Sequence, residues 1–316
     1  MGANGQITER VFRGDRVAVA RAISLIENEH ADAVALLKKI YPRTGNAYRI
    51  GITGPPGAGK STISNKLAKY YRKQGKNVGI IAVDPTSPFT GGALLGDRVR
   101  MTDVELDQNV FIRSMASRGS LGGLSKKARE AADVLDAAGC EIILMETVGV
   151  GQSELDIARA ADTTVVVLVP ESGDSIQAMK AGLMEIADFF VVNKSDRAGA
   201  DQAAMSIRTV LGLRKHGEGW MPDVVQTVAS EDKGIDIVAE MIGKHRASLE
   251  SSGELKTKRT ERVAERIRDL IAERLRVEFW TAEREQRLAA SIKHITEQKE
   301  TPYDAAEELL KTFKVG

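Results

Sequence analysis

Residues 54 to 62 carry the most distinctive chemistry in this sequence. Gly54 to Ser61 match G-x-x-x-x-G-K-[ST], with an apolar run before the match and an amphipathic run after it. Glycines in this pattern let backbone N–H groups converge on a phosphate, and the helix that follows adds its positive dipole end. We expect Lys60 to reach the β- and γ-phosphates and the Ser61 hydroxyl to bind Mg²⁺. The residues expected to contact the nucleotide here are Gly54, Pro55, Pro56, Gly57, Ala58, Gly59, Lys60, Ser61 and Thr62.

A second candidate site is the tetrapeptide Asn193-Lys-Ser-Asp196, which follows a predicted strand. The Asp196 carboxylate can accept from both N1–H and the exocyclic amine of guanine, a pair of donors that adenine does not present. The stem of Lys194 can lie along the face of the ring. Asn193, Lys194, Asp196 and Ala229 are therefore predicted to bind the nucleotide, and GTP and GDP are favoured over adenine nucleotides.

Three carboxylates join Ser61 as candidate Mg²⁺ ligands: Asp84, Asp97 and Glu146. Asp84 ends a predicted strand and Asp97 follows a glycine-bearing loop, so each could reach the phosphates if its loop folds over them. Glu146 stands where a P-loop GTPase places the aspartate of D-x-x-G. Gly149, the last residue of that pattern, is expected to sense the γ-phosphate through its N–H.

The residue after this pattern is Val150, where Ras-like GTPases place the glutamine that orients the attacking water. A valine cannot do this, so hydrolysis should be slow unless Gln152, Asp97, an arginine or a partner supplies the function. Arg98 and Arg100 are the nearest candidates for charge stabilisation within the chain. The predicted catalytic residues are Lys60, Asp97, Arg98, Arg100, Glu146 and Gly149.

Alternation of short β-branched runs with helical patterns predicts the scaffold that positions these residues. The expected strands are Arg49 to Thr53, Val78 to Val83, Val110 to Arg113, Ile142 to Glu146, Thr164 to Val169, Phe189 to Asn193 and Val224 to Val228. This pattern predicts an α/β fold, a Rossmann-like P-loop domain whose sheet is largely parallel. Functional residues should lie at the carboxyl ends of the strands.

Helical patterns flank this domain on both sides. Residues 8 to 41 are predicted to form two helices, the second with Val34, Leu37 and Ile40 on its buried face. After about residue 256 the chain is highly charged but keeps an apolar helical stripe at Val263, Ile267, Leu270 and Ile271. Such a stripe can be buried against the α/β domain or against a second copy, and we expect a homodimer. The predicted organisation is an N-terminal helical arm (1–45), a P-loop GTPase domain (46–253) and a C-terminal dimerisation arm (254–316).

Composition narrows the classes of partner. The 316 residues carry a formal net charge of +1, which argues against a protein whose main partner is nucleic acid. The single cysteine rules out a disulfide framework, and no run of about 18 apolar residues predicts a membrane span. We expect a cytoplasmic protein with no membrane partner.

Several longer motifs together resemble the MeaB/ArgK family. These are Gly54 to Thr62, Val83-Asp-Pro-Thr-Ser-Pro88, Gly91-Gly-Ala-Leu-Leu-Gly-Asp-Arg-Val-Arg-Met101, Arg118-Gly, Glu146-Thr-Val-Gly-Val-Gly-Gln-Ser-Glu154 and Asn193 to Asp196. The family comprises G-protein chaperones of adenosylcobalamin-dependent methylmalonyl-CoA mutase, including the human MMAA protein. The resemblance implies a homodimeric GTPase that gates cofactor loading and protects the mutase, with hydrolysis accelerated in the complex.

The resemblance also implies roles for particular residues and suggests one alternative function. It implies Mg²⁺ and switch roles for Ser61, Asp84, Asp97 and Glu146, and it implies that Asp174 and Lys180 relay the nucleotide state to the partner. Older names in the group describe kinases of transport-system components, so a nucleoside-triphosphate-dependent protein kinase is the alternative. The D-x-H-x-x-G cobalamin motif of the mutases is absent, which predicts no cobalamin site of the chain's own.

Overall fold

The computed structural model describes residues 3–85, 104, 106–117, 123–147, 153–172, 181–212, 219–311 and 313. Seven strands form one sheet in which every pairing is parallel. They are β1 (Tyr48–Thr53), β2 (Val78–Pro85), β3 (Val110–Ser117), β4 (Ile142–Thr147), β5 (Thr163–Leu168), β6 (Phe189–Asn193) and β7 (Val224–Thr227). The spatial order is β3-β2-β4-β1-β5-β6-β7. The predicted fold class is confirmed, and each predicted strand is present to within a few residues at its ends.

Twelve α-helices lie within the described part of the chain. They are α1 (Ala3–Phe12), α2 (Arg16–Glu27), α3 (Ala33–Ile40), α4 (Lys60–Lys73), α5 (Gly123–Ala137), α6 (Ser153–Ala160), α7 (Ala181–Ile186), α8 (Ala200–Gly212), α9 (Ile235–Ser252), α10 (Glu254–Phe279), α11 (Ala282–Thr296) and α12 (Pro302–Lys311). Within the described residues, no helix has the length and apolar character that a bilayer crossing requires.

The central strands are buried on both faces, which is why they appear in the sequence as continuous apolar runs. On one face Ile50 and Ile52 of β1 pack in a cluster with Ile63 and Leu67 of α4. In the sheet β1 lies between β4 and β5, with β2 and β3 beyond β4 and with β6 and β7 beyond β5, so the order of strands reverses beside β1. Such a reversal of strand order leaves a crevice at the carboxyl ends of the strands, so the fold places the loop after β1 at this crevice.

The N-terminal segment differs from the prediction, because it forms three helices rather than two. An additional helix, α1, contributes Val11 to a core shared with α2, α3 and the sheet. The predicted buried face of α3 was also wrong at Val34, which is 61% exposed, whereas Leu36 is buried. The helix turns Ala33, Leu36 and Ile40 towards the core, a spacing of three and four residues that the sequence also permits.

The chain divides into two compact units, residues 1–256 and 257–316. The N-terminal helices belong to the first unit. In the second unit the Phe279 ring lies edge-on to Trp280 and Phe313, and the Arg284 guanidinium stacks over both phenylalanine rings. The helix α10 buries none of its 26 residues, so its apolar stripe is exposed.

A buried ionic cluster stabilises the entry into β1. The Arg49 guanidinium lies 2.7 Å from an Asp133 carboxylate oxygen and 3.6 Å from one of Asp136. Burial disfavours the charged guanidinium, but the two carboxylates outweigh this and raise the pKa of Arg49. The Asp136 carboxylate also accepts backbone N–H bonds from Gly45 (2.7 Å), Asn46 (3.2 Å) and Ala47 (3.1 Å). Asp136 thereby fixes the chain as it passes from the N-terminal helices into the sheet.

Asp136→Asn should destabilise the fold without touching the crevice. The substitution removes a buried charge opposite Arg49 and turns an amide donor towards backbone donors, which should lower the free energy of unfolding by about 3 kcal/mol. Urea unfolding measures this loss. Glu240→Gln is the matched control, because it removes only an exposed pair with Lys244 and should change stability by less than about 0.5 kcal/mol. Equal stability of the two variants would contradict the role given to Asp136.

Candidate nucleotide-binding site

The loop between β1 and α4 depends on two glycines with positive φ. At Gly54 φ is +134°, and a Cβ atom would lie 2.0 Å from the carbonyl oxygen of Val167 on the neighbouring strand. At Gly59 φ is +93°, and a Cβ atom would lie 2.2 Å from Nδ2 of Asn193. Any side chain at these positions would add steric overlap to an unfavourable backbone conformation. The glycines therefore allow the loop to pass close to two neighbouring strand ends.

Lys60 begins helix α4 and is 5% exposed. Its ammonium group donates to the carbonyl oxygens of Gly54 (2.8 Å) and Pro55 (2.9 Å). A buried ammonium requires such partners, because the charged form loses its hydration on burial. The loop therefore curls around a fixed positive charge at the N-terminus of a helix, an arrangement suited to a polyphosphate.

The carboxylate of Glu146 lies directly beside this loop. Register in the sheet pairs Glu146 on β4 with Ile52 on β1, so the side chain emerges one strand away from the loop. One carboxylate oxygen accepts from the Ser61 hydroxyl, and the other accepts from the Ser64 hydroxyl at 2.8 Å. Glu146 is 3% exposed, so these bonds are made out of contact with water. The predicted proximity of Ser61 and Glu146 is present in the structure.

The donor set at this point fits Mg²⁺. Ser61 and Glu146 supply hard oxygen donors beside the phosphate-binding loop, and Mg²⁺ usually takes only one or two protein ligands together with phosphate oxygens and water. Within the described residues no group of three or more His, Cys, Asp or Glu side chains forms a closed metal cage. Asp84 follows Val83, which pairs with Thr147 beside Glu146, so its backbone lies at the same edge. Its side chain is outside the described residues.

The side-chain amide of Asn193 joins three loops at the other end of the site. Its Nδ2 donates to the Ala58 carbonyl (2.8 Å), while Oδ1 accepts from the Thr227 hydroxyl (3.0 Å) and the Ala229 N–H (3.1 Å). Asn193 is 3% exposed, so each of these bonds replaces one that water would have made. The phosphate loop, the end of β6 and the segment after β7 are therefore held in fixed relation.

Lys194 and Asp196 follow at the surface of this edge. Lys194 has a left-handed backbone (φ +57°), and its ammonium donates to the Gly57 carbonyl at 2.8 Å. Asp196 is exposed. Hydrogen bonds to Glu171 and Glu231 raise the pKa of Arg197 and Lys233 respectively, and the negative charge of Asp196 adds a smaller contribution to each. Arg197 also pairs with Glu171 at 2.6 Å, and this hydrogen bond lowers the pKa of the Glu171 carboxyl. Asp196 therefore stands at the surface with two cations nearby and its carboxylate accessible.

Comparison with known proteins decides the family. A family model described as "Methylmalonyl Co-A mutase-associated GTPase MeaB" matches residues 19–284. This chain belongs to the MeaB family. It is a P-loop GTPase and so binds GTP and GDP.

Relatives and a solved structure agree with this assignment. The GTPase ArgK of Escherichia coli is 39% identical over 267 residues, covering 82% of this chain and 81% of ArgK. The mitochondrial methylmalonic aciduria type A homolog of the mouse is 34% identical over 324 residues, covering 96% of this chain and 78% of that protein. A crystal structure described as an LAO/AO transport system kinase has a TM-score of 0.77 and 28% identity, and the match covers 98% of both chains. The resemblance found in the sequence motifs is confirmed.

The structure brings together only part of the predicted MeaB site. It places Lys60, Ser61 and Glu146 at the phosphate end and Asn193, Lys194 and Ala229 at the base end. Asp97, Arg98, Arg100, Gly149, Asp174 and Lys180 lie outside the described residues.

Sequence reasoning missed one residue beside the site, Ser64. The sequence held one usable signal for Ser64. This serine stands in the middle of an amphipathic helix, one turn after the serine of the motif and between the apolar residues Ile63 and Leu67. The segment Thr227 to Ser230 was expected to close over the base by backbone contacts. The side-chain bond of Thr227 to Asn193 was not predicted, because it depends on the pairing of β6 with β7.

We predict that Asp196→Asn changes the base preference of this GTPase. If Asp196 accepts both guanine donors, an asparagine leaves one of them facing an amide N–H, which should weaken GDP binding by about 1–3 kcal/mol and admit xanthosine diphosphate. Competition of fluorescent GDP with each nucleotide measures both effects. Glu231→Gln is a suitable control, since its carboxylate pairs with Lys233 at the surface nearby. Equal affinity of the unmodified protein for ATP and GTP would refute the assignment of Asp196.

Proposed function

We propose that this chain is a GTP-hydrolysing chaperone that gates cobalamin loading into an acyl-CoA mutase of the methylmalonyl-CoA mutase type and protects that enzyme. The observation that carries the proposal is the family match over residues 19–284, whose description names the mutase. The phosphate-binding arrangement of Lys60, Ser61 and Glu146 supplies the chemistry that such a chaperone needs. In this proposal cobalamin binds to the partner enzyme and not to this chain.

In the proposed reaction, a water molecule attacks the γ-phosphorus of GTP, the bond to the β–γ bridging oxygen breaks, and GDP and phosphate leave. Lys60 binds the β- and γ-phosphate oxygens in place of the two carbonyls that now hold its ammonium. Ser61 and Glu146, with Asp84 and Asp97, would hold Mg²⁺, which neutralises charge on the phosphates when it is bound. Asn193 keeps the base end in fixed register with the phosphate end, so correct base binding sets the position of the γ-phosphate.

The proposed GTP hydrolysis also depends on residues that lie outside the described part of the chain. Val150 offers no hydrogen bond to the attacking water, so this GTPase should turn over slowly alone. We assign Gly149 to sensing the γ-phosphate, and Asp97, Arg98 and Arg100 to stabilising the transition state in the complex with the partner. Asp174 and Lys180 relay the nucleotide state to that partner. These roles rest on sequence position and on the family.

Homodimerisation through α10 completes the proposal. Val263, Ile267, Leu270 and Ile271 are 43%, 52%, 44% and 54% exposed on a helix in which nothing is buried. A continuous apolar stripe on an otherwise charged helix is stabilised when a second copy removes it from water. The stripe therefore supports a dimer in which this face is covered.

A second candidate function is phosphorylation of a transport-system component. It is favoured by one observation, the likeness to a solved structure described as an LAO/AO transport system kinase. The two functions differ in the acceptor of the γ-phosphoryl group, which is water for a GTPase and a protein side chain for a kinase. GTP that is labelled in its γ-phosphate therefore distinguishes the two functions, because only a kinase transfers the label to a protein.

Stimulated turnover tests the chaperone proposal. A cognate mutase should raise the single-turnover rate of GTP hydrolysis by about 100-fold, equivalent to about 2.7 kcal/mol, because it brings charge-stabilising groups to the γ-phosphate. Lys180→Ala should retain GTP affinity and the basal rate but lose most of the stimulation. Lys299→Ala, in an exposed pair with Glu297, serves as the control. Fast hydrolysis by the isolated protein, or full stimulation of Lys180→Ala, would show that the gating mechanism is wrong.

The molecular mass in solution tests whether the chain dimerises through α10. Replacing Ile267 and Ile271 together by aspartate should yield a monomer in multi-angle light scattering, because two buried charges would oppose closure of the stripe. GDP binding should persist, since α10 is remote in sequence from the phosphate-binding loop. Val17→Asp is the control, as Val17 is 68% exposed on α2. A monomeric unmodified protein would contradict the role of the stripe.

A further inference from the structure

Two serines on α4 bind the two oxygens of one buried carboxylate. Ser61 and Ser64 are three residues apart, so both hydroxyls lie on the same face of the helix. Ser61 donates to Oε1 of Glu146, and Ser64 donates to Oε2 at 2.8 Å. Ser64 is 0% exposed and Glu146 is 3% exposed. The carboxylate is thus held at both ends by the helix that binds the nucleotide.

Helix packing alone does not account for a serine at position 64. Its neighbours Ile63 and Leu67 are fully buried in the core beneath the sheet, which shows that this part of the helix accepts apolar side chains. Serine is a weaker helix former than alanine, and a buried hydroxyl costs free energy unless it is hydrogen-bonded. Serines within helices often bond to the carbonyl four residues earlier. Ser64 instead directs its proton to Glu146, a residue of another element.

The orientation of Glu146 controls what Ser61 can do. A hydroxyl has one proton and two lone pairs, so when Ser61 gives its proton to Glu146 its oxygen can still bind a cation. Rotation of the carboxylate would remove that acceptor and free the hydroxyl to turn. A bond to the second oxygen prevents the rotation, just as outer-shell hydrogen bonds orient metal ligands elsewhere.

We propose that Ser64 is a positioning residue that locks Glu146 and thereby orients Ser61 towards Mg²⁺ and the nucleotide phosphates. The proposal rests on the proposed Mg²⁺-dependent nucleotide site. Ser64 touches neither ligand in this account. It acts through Glu146, so its removal should affect metal-dependent behaviour and leave metal-free binding intact.

Release of fluorescent mant-GDP provides the test, because it reports Mg²⁺ binding without requiring hydrolysis. In the full-length Ser64→Ala variant, the Mg²⁺ concentration that half-maximally slows release should rise about tenfold or more. The release rate in EDTA should equal that of the unmodified protein. Ser206→Ala is the matched control, because that hydroxyl donates only to the Gln202 carbonyl of its own helix, and it should leave both rates unchanged.

A double-mutant cycle shows whether Ser64 acts through Glu146. In a Glu146→Gln background, Ser64→Ala should add little to the shift in Mg²⁺ dependence, whereas independent effects would add. Unchanged Mg²⁺ dependence in Ser64→Ala, an equal change with and without Mg²⁺, or additivity in the cycle would each overturn the proposal. Should Ser64→Ala fail to fold, Ser64→Thr must retain normal Mg²⁺ dependence and Ser64→Cys must lose it. If Mg²⁺ does not slow release from the unmodified protein, the proposed metal site fails instead.

Discussion

The buried Glu146 carboxylate is the constraint on which the phosphate end of this site depends. Moving a carboxylate out of water is costly unless strong hydrogen bonds replace its hydration. Here the replacement comes from α4, whose two serine hydroxyls meet the two carboxylate oxygens. Parallel pairing of β1 with β4 fixes the distance between that helix and the strand that carries Glu146. A shift of β4 by one residue would turn Glu146 to the opposite face of the sheet and disconnect the helix from it.

A second constraint links the base end to the phosphate end. The Asn193 amide bonds to the phosphate-binding loop with its nitrogen and to the segment after β7 with its oxygen. Because a Cβ at Gly59 would overlap this amide, the glycine and the asparagine depend on each other. The two ends of the nucleotide site are therefore one hydrogen-bonded structure, although Ala58 and Asn193 are 135 residues apart in the sequence.

Sequence patterns predicted the sheet well, because the composition of each strand and the residues that end it can both be recognised locally in the sequence. Runs such as Val78 to Val83 are β-branched and continuous, and glycine or proline marks their ends. The N-terminal helices were predicted less well, because α1 carries few apolar residues and α3 offers two overlapping apolar faces. The phosphate-binding residues of the site followed from a motif, whereas the role of Ser64 and the side-chain bond of Thr227 to Asn193 did not. Both arise from contacts between elements, and only strand order and register place those elements together.

The glutamate at position 146 explains why two serines of α4 bond to one carboxylate. A glutamate is one methylene longer than the aspartate of the D-x-x-G pattern, and an extra rotatable bond leaves its carboxylate less fixed by the backbone. The longer side chain reaches into α4 far enough for its two oxygens to meet Ser61 and Ser64 separately. The bond from the Ser64 hydroxyl restricts the rotation of the carboxylate that the extra methylene allows. Ser61 and the Glu146 carboxylate are therefore held in one geometry, while position 150 carries a valine where Ras-like GTPases place a glutamine. The proposed chaperone function would account for both features, because a site that binds GTP but hydrolyses it slowly would retain the nucleotide until a partner protein completes the site.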